Sequence, residues 1–142
     1  VLRQRDLTLG VAESVTGGLV SSRLTGVFGA SDVFRGGIVS YASDVKYEVL
    51  GIPQGPVVSE TAAKEMAIGV RRVLRSDFGL ALTGVAGPGE QEGVKVGTLC
   101  VGLALPDGST RSTTLQLPAS RDQMRQLSVI SALNFLRHEL LG

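Results

Sequence analysis

The hydrophobic positions of this chain alternate between short continuous runs and helical stripes. Leu7-Thr8-Leu9-Gly10-Val11-Ala12 is nearly all apolar, which suits a strand buried on both faces. It stops abruptly in Glu13-Ser14-Val15-Thr16-Gly17-Gly18, after which Leu19, Val20, Arg23 and Leu24 recur at helical spacing. The pattern predicts a strand that turns sharply into a helix, with Ser14 at the strand's carboxyl end and Gly17 and Gly18 opening the helix. Ahead of it, Val1 to Arg5 reads as the tail of a helix, so the chain is read as a fragment or an ordered part of something longer.

Further along, Thr25 to Asp32 reads as a loop and Phe34 to Tyr41 as a second strand. In that strand Gly36-Gly37 marks a close backbone approach or a bulge. Ser43 to Leu50 predicts a short helix, capped by Ser43 and ended by Gly51. Pro53 and Pro56 punctuate a connector. Ser59 caps the next helix, with Glu60 in its first turn and a stripe of Ala63, Met66, Ala67, Val70, Val73 and Leu74.

Phe78 to Leu82 predicts a short buried strand that ends in Thr83-Gly84-Val85-Ala86-Gly87-Pro88-Gly89. Val96 to Leu105 and Thr110 to Leu117 flank Pro106-Asp107-Gly108-Ser109, a hairpin turn. Arg121 to Leu141 closes the chain as a helix with a stripe of Met124, Leu127, Ile130, Leu133, Leu136 and Leu140. Helices alternating with strands, plus one hairpin, predict an α/β fold. We expect a three-layer α/β/α sandwich with a mixed, mostly parallel sheet, formed by residues 1–142 as a single domain. Ligands of such folds bind at the carboxyl ends of strands, where Ser14 and Thr83 would both lie.

Composition narrows the function classes. The chain has 142 residues, enough for a real core, with 43% hydrophobic and 19% charged residues. Fourteen basic against thirteen acidic residues, with 4% aromatics, argue against a dedicated nucleic-acid surface. No apolar stretch approaches a membrane span and no signal peptide is visible, so a cytoplasmic location is the default expectation. One cysteine, Cys100, excludes an internal disulfide, and no Cys/His cluster has zinc-site spacing.

The candidate chemistry starts from Ser14. A hydroxyl before a helix ordinarily caps it; held beside free backbone N–H groups and a base, the same hydroxyl is a nucleophile. The spacing alone leaves both open. His138, the one histidine, belongs to the last turns of the final helix, where it is a cation near a helix end. Cys100 lies mid-strand as core. A hydrolase built here therefore needs another base, and Lys46 is the candidate, since burial can lower a lysine's pKa toward neutrality. Tyr41 could hydrogen-bond in the same site. Thr83-Gly84 could cradle an anion through backbone N–H groups, and Arg121 and Arg125, one turn apart, suit a phosphate or carboxylate.

Together these residues resemble a known family. Ala12-Glu13-Ser14-Val15-Thr16-Gly17-Gly18 is similar to the Ala-Glu-Ser-Cys-Thr-Gly-Gly signature of the CinA carboxyl-terminal domain family. Phe34-Arg35-Gly36-Gly37-Ile38-Val39, Tyr41 with Lys46, Val58-Ser59-Glu60, Thr83-Gly84-Val85-Ala86-Gly87-Pro88, Val96-Gly97-Thr98 and Arg121 with Arg125 follow in the family's order. The resemblance implies an α/β/α amidohydrolase that deamidates nicotinamide mononucleotide in pyridine nucleotide recycling, using no metal or cofactor. It implies Ser14 as nucleophile, Lys46 as base and Tyr41 as their helper. Substrate would meet Thr16, Gly17, Gly18, Thr83, Gly84 and one of Arg121 and Arg125. It further implies a homodimer and, in some members, a fused N-terminal domain.

The chain departs from the family pattern at Val15, at Ala42-Ser43 and in the short loop Gly89 to Lys95. The alternative that the loop and Ala42-Ser43 raise is a catalytically weak nucleotide-binding or regulatory module of a competence/damage-inducible protein.

Overall fold

The structure is a computed structural model and describes residues 1–118 and 120–142. A short helical turn, α1 (Leu2–Arg5), leads into β1 (Leu9–Glu13) and α2 (Leu19–Thr25). A 3-10 turn at Ala30–Asp32 precedes β2 (Phe34–Val39), α3 (Ser43–Leu50) and α4 (Glu60–Leu74). The chain ends in β3 (Phe78–Gly84), β4 (Thr98–Ala104), β5 (Thr110–Gln116) and α5 (Arg121–Leu141).

The five strands form one mixed sheet in the order β2-β1-β3-β4-β5. β1 pairs parallel with β2 and β3, while β3–β4 and β4–β5 pair antiparallel, so every strand except β4 runs in one direction. The β4–β5 reversal is local: Asp107 Oδ1 accepts from the Ser109 N–H at 2.9 Å and from its hydroxyl at 2.6 Å, closing the predicted turn.

Side-chain alternation sorts the sheet into two unequal faces. Leu9, Val11, Leu80, Leu82, Leu99, Val101 and Leu103 pack with Val20 of α2 and with Met124, Val129, Ala132, Leu136 and Leu140 of α5. The opposite face is small, with Ala12, Ala81 and Ala104 packing under Met66, Ala67 and Val70 of α4. Gly102 belongs to it, and a Cβ there would overlap the Ala63 carbonyl of α4. Helices α2 and α5 therefore cover large aliphatic side chains, while α4 lies almost on the backbone of the sheet.

Local readings correct the sequence expectations in three places. Ser59 does cap α4, its hydroxyl accepting from the Ala62 N–H at 3.0 Å, but Ser43 lies inside α3, whose cap is Ala42 without a side-chain bond. The buried row of α5 runs Met124, Ser128, Ala132, Leu136, Leu140, and Ile130 is exposed. The small Ser128 and Ala132 let the helix approach the sheet, and Ser128 satisfies its hydroxyl on the Met124 carbonyl at 2.7 Å. In α4, Ala62 and Gly69 are buried and Val73 is exposed; Gly69 lies where the end of α3 crosses, and a Cβ there would overlap the Leu50 carbonyl.

Candidate active site

The site grows from the end of β1. Glu13 is fully buried, and its carboxylate is the anion that the helix start receives. Oε1 accepts from the Thr16 hydroxyl at 2.6 Å, the Gly18 N–H at 3.2 Å and the Val20 N–H at 2.8 Å. Oε2 accepts from the Ser21 N–H at 2.8 Å and its hydroxyl at 2.6 Å. Five donors converge on one side chain, which welds the strand, the turn and the first turn of α2 together.

This network corrects two expectations. Thr16, Gly17 and Gly18 do not line the pocket, and the Thr16 hydroxyl and the Gly17 and Gly18 N–H groups are already spent on Glu13 and on the turn itself. Ser14 is not the helix cap either: that position is Gly18, at φ 107, where a residue without a Cβ is favoured. Ser14 instead projects from the turn into a pocket.

Lys46 meets it there. Although a lysine in a short helix is ordinarily solvated, Lys46 is only 2% exposed. Its Nζ donates to Ser14 Oγ at 3.0 Å, to the Ser40 carbonyl at 2.6 Å and to the Tyr41 carbonyl at 3.1 Å. Ser40 is in turn fixed to the Glu13 carbonyl through its N–H at 2.8 Å and its hydroxyl at 3.2 Å. Burial lowers the Lys46 pKa to about 8, partly opposed by the negative charge of Glu92.

The geometry suits both protonation states. The ammonium has three donors and three acceptors; the neutral amine keeps two N–H groups for the carbonyls and turns its lone pair toward the Ser14 hydroxyl.

A cavity of about 170 Å³ opens in front of this pair, lined among others by Thr83, Gly84, Val57, Val58 and Arg121. Thr83 donates its hydroxyl to the Val57 carbonyl at 2.6 Å, so its part here is to hold the wall. Arg121, at the start of α5, donates to the Gly87 carbonyl at 2.7 Å and to the Tyr41 hydroxyl at 3.1 Å. Tyr41 thus touches Lys46 through its carbonyl, while its exposed phenol belongs to the rim.

Arg125 is elsewhere. It donates to the Val15 carbonyl at 3.1 Å and to that of Thr16 at 3.4 Å, bracing the turn from outside the pocket. Among the described residues, no protein acceptor takes the N–H of Val15 or Thr16, directly after the nucleophile candidate.

Of the two arginines, then, Arg121 faces the cavity and Arg125 supports the backbone. Sequence reasoning assigned no role to Glu13, Ser40 or Glu92. Glu13 carried a local signal, an acid closing an apolar strand just before a helix; the other two act across long sequence separations and carried none. Among the described residues, no three His, Cys, Asp or Glu side chains group as metal ligands. A larger groove of about 480 Å³ lies between α1, the Val27–Ala30 segment and α5; it is lined largely by aliphatic side chains and holds no acid–base pair.

Residues 1–140 match the family description of the CinA C-terminal domain. The chain is 52% identical over 147 residues to a CinA-like protein of Frankia casuarinae, covering all of this chain and 34% of that protein. It is 46% identical over 150 residues to a CinA-like protein of Gloeobacter violaceus, covering all of this chain and 35% of that one. The chain thus spans about a third of the length of these curated relatives. Among solved structures, competence damage-inducible protein A of Klebsiella pneumoniae superposes with a TM-score of 0.94 at 26% identity, covering 99% of this chain and 91% of that chain. The competence/damage inducible protein CihA of Agrobacterium tumefaciens gives a TM-score of 0.90 at 30% identity, covering 96% and 87%.

Proposed function

The chain belongs to the CinA C-terminal domain family, and on that premise we propose that it is an amidohydrolase that converts nicotinamide mononucleotide to nicotinic acid mononucleotide and ammonia. The observation that carries this is the 3.0 Å contact between Lys46 Nζ and Ser14 Oγ in a buried pocket. At a pKa of about 8, about one amine in ten is neutral at pH 7, enough to serve as a general base.

In this mechanism Ser14 Oγ attacks the amide carbon as its proton passes to Nζ. The free N–H of Val15, which lines the pocket beside Ser14, takes the developing oxyanion, a contribution of about 3 kcal/mol for one donor in comparable sites. The tetrahedral species then breaks its C–N bond, and the Lys46 ammonium gives its proton to the departing nitrogen, which leaves as ammonia. Water attacks the resulting ester, its proton passing to Nζ and then to the Ser14 oxygen as the acid departs. Arg121 meets the substrate phosphate at the rim. The same proposal places the domain in pyridine nucleotide recycling in the cytoplasm, as a homodimer that acts alone or behind a fused domain.

Ammonia release from nicotinamide mononucleotide by the unaltered chain, Ser14→Ala and Lys46→Ala tests it. Both variants should lose at least about a thousandfold in turnover while remaining folded. Turnover that survives Ser14→Ala removes this mechanism. An unaltered chain that binds the nucleotide and releases no ammonia makes the domain a nucleotide-binding regulatory module instead.

A further inference from the structure

We propose that Glu92 is a positioning residue of this site: its carboxylate latches the Gly89–Lys95 loop across the Ser14 pocket and sets one negative charge that acts on Lys46. The latch is two consecutive backbone donors. Val57 N–H lies 3.1 and 3.0 Å from Oε1 and Oε2, and Val58 N–H lies 3.0 Å from Oε1. Both valines are buried and line the pocket, as do Gly89 and Gln91 from the loop itself. The Val57 peptide is therefore gripped from both sides, its N–H by Glu92 and its carbonyl by the Thr83 hydroxyl at 2.6 Å.

At its far end the loop is held by Val94, packed against the core under α4, and by the Lys95 carbonyl, which accepts from the Thr98 N–H at 3.2 Å; the stretch from Gly89 to Gly93 has little besides Glu92. A Cβ added at Gly89 or Gly93 would meet nothing within 4 Å. Its internal tie is the Val94 N–H on the Gln91 carbonyl at 2.8 Å. Glu92 itself sits at φ 56, in the left-handed region that a side chain of this length rarely adopts without a compensating contact. Two backbone donors meeting one carboxylate supply that contact.

The charge has a separate consequence. Around Lys46 the charged or titratable groups are Glu13 at the end of β1, Tyr41 before α3, Glu92 in the loop and Arg121 at the start of α5. Glu13 is saturated by its five donors, and Arg121 is engaged with Gly87 and Tyr41. On α3 itself, Asp44 and Glu48 stand two residues from Lys46, an offset that turns side chains away from each other. Glu92 is the group whose charge partly opposes the effect of burial on Lys46. Its catalytic consequence rests on the Ser14–Lys46 mechanism proposed above: Glu92 sets how much free base is present at neutral pH.

Two substitutions separate latch from charge. Glu92→Gln keeps an Oε1 that can accept from both valines and removes the charge; Glu92→Ala removes both. Lysine labelled with ¹³C at Cε, with the Lys46 signal assigned by its absence in Lys46→Met, reports the titration directly and needs no turnover. In both Glu92 variants Lys46 should titrate lower, by roughly half a pH unit or more. Hydrogen exchange at the Val57 and Val58 amides should stay slow in Glu92→Gln and become at least about tenfold faster in Glu92→Ala. An unchanged Lys46 titration in Glu92→Gln overturns the charge role, and unchanged exchange in Glu92→Ala overturns the latch. If both shifts occur while the acid limb of kcat/KM stays in place, the positioning role stands and Lys46 as the base fails.

Discussion

Replacing Lys46 by methionine removes the one buried amine of the site while keeping its approximate volume. Folding carries Lys46 from a pKa of 10.5 to about 8, chiefly through burial. At about 1.4 kcal/mol per pH unit that drop is worth about 3 kcal/mol. The unfolded chain holds the proton more tightly than the folded one. Below pH 8 the amine is protonated in both states and folding carries the full penalty; between pH 8 and 10.5 the penalty fades, and above that it is gone.

The stability of the unaltered chain minus that of Lys46→Met should therefore rise by about 3 kcal/mol from pH 7 to pH 10.5. The loss of the bonds to the Ser40 and Tyr41 carbonyls is a constant offset, and the titrations of other residues cancel in the difference. Urea unfolding followed by far-ultraviolet circular dichroism across this range measures it. A difference that stays flat with pH means that burial does not depress this amine. One that falls with pH means that Glu92 outweighs burial, and either result removes the supply of neutral lysine on which the mechanism depends.

Glu13→Gln replaces one carboxylate oxygen with a donor facing donors already present, from Thr16, Gly18 and Val20 or from Ser21. It should cost about 2–4 kcal/mol in urea unfolding, and a loss under about 1 kcal/mol would show that the carboxylate does not anchor the turn. Gly102→Ala drives a Cβ into the Ala63 carbonyl and to within 2.7 Å of the Lys64 N–H. It should lower stability by about 2–3 kcal/mol by lifting α4 from the sheet. Gly89→Ala, where a Cβ meets nothing within 4 Å, should stay within about 0.5 kcal/mol; equal effects at the two positions would refute the close-packing account of the small sheet face.

Much of the fold was legible because its causes are local. The β1–turn–α2 stretch, the Ser59 cap and the Asp107 hairpin turn are each decided by residues within a few positions of one another. The α5 stripe was right at Met124, Leu136 and Leu140 and wrong at Ile130, because hydrophobicity alone favours Ile130, whereas the approach of the helix to the sheet favours the small Ser128 and Ala132. Ser43 failed as a cap for a similar reason: capping depends on backbone dihedrals that the residue type does not specify, and the cap falls one residue earlier, at Ala42.

From the sequence alone came the order of the elements, the position of Ser14 at a strand end, and the residue types able to act as nucleophile, base and phosphate ligand. Tertiary structure decided which of them meet. Lys46 reaches Ser14 across 32 residues, and Glu92 reaches Val57 across 35. Arg121 faces the cavity while Arg125 braces the turn behind it. The lowered pKa of Lys46 likewise comes from packing around its side chain. Local propensity acts over a turn or a pair of strands, but contact across the sheet and exclusion of water exist only once β1, α3 and the Gly89–Lys95 loop have been brought together by the core.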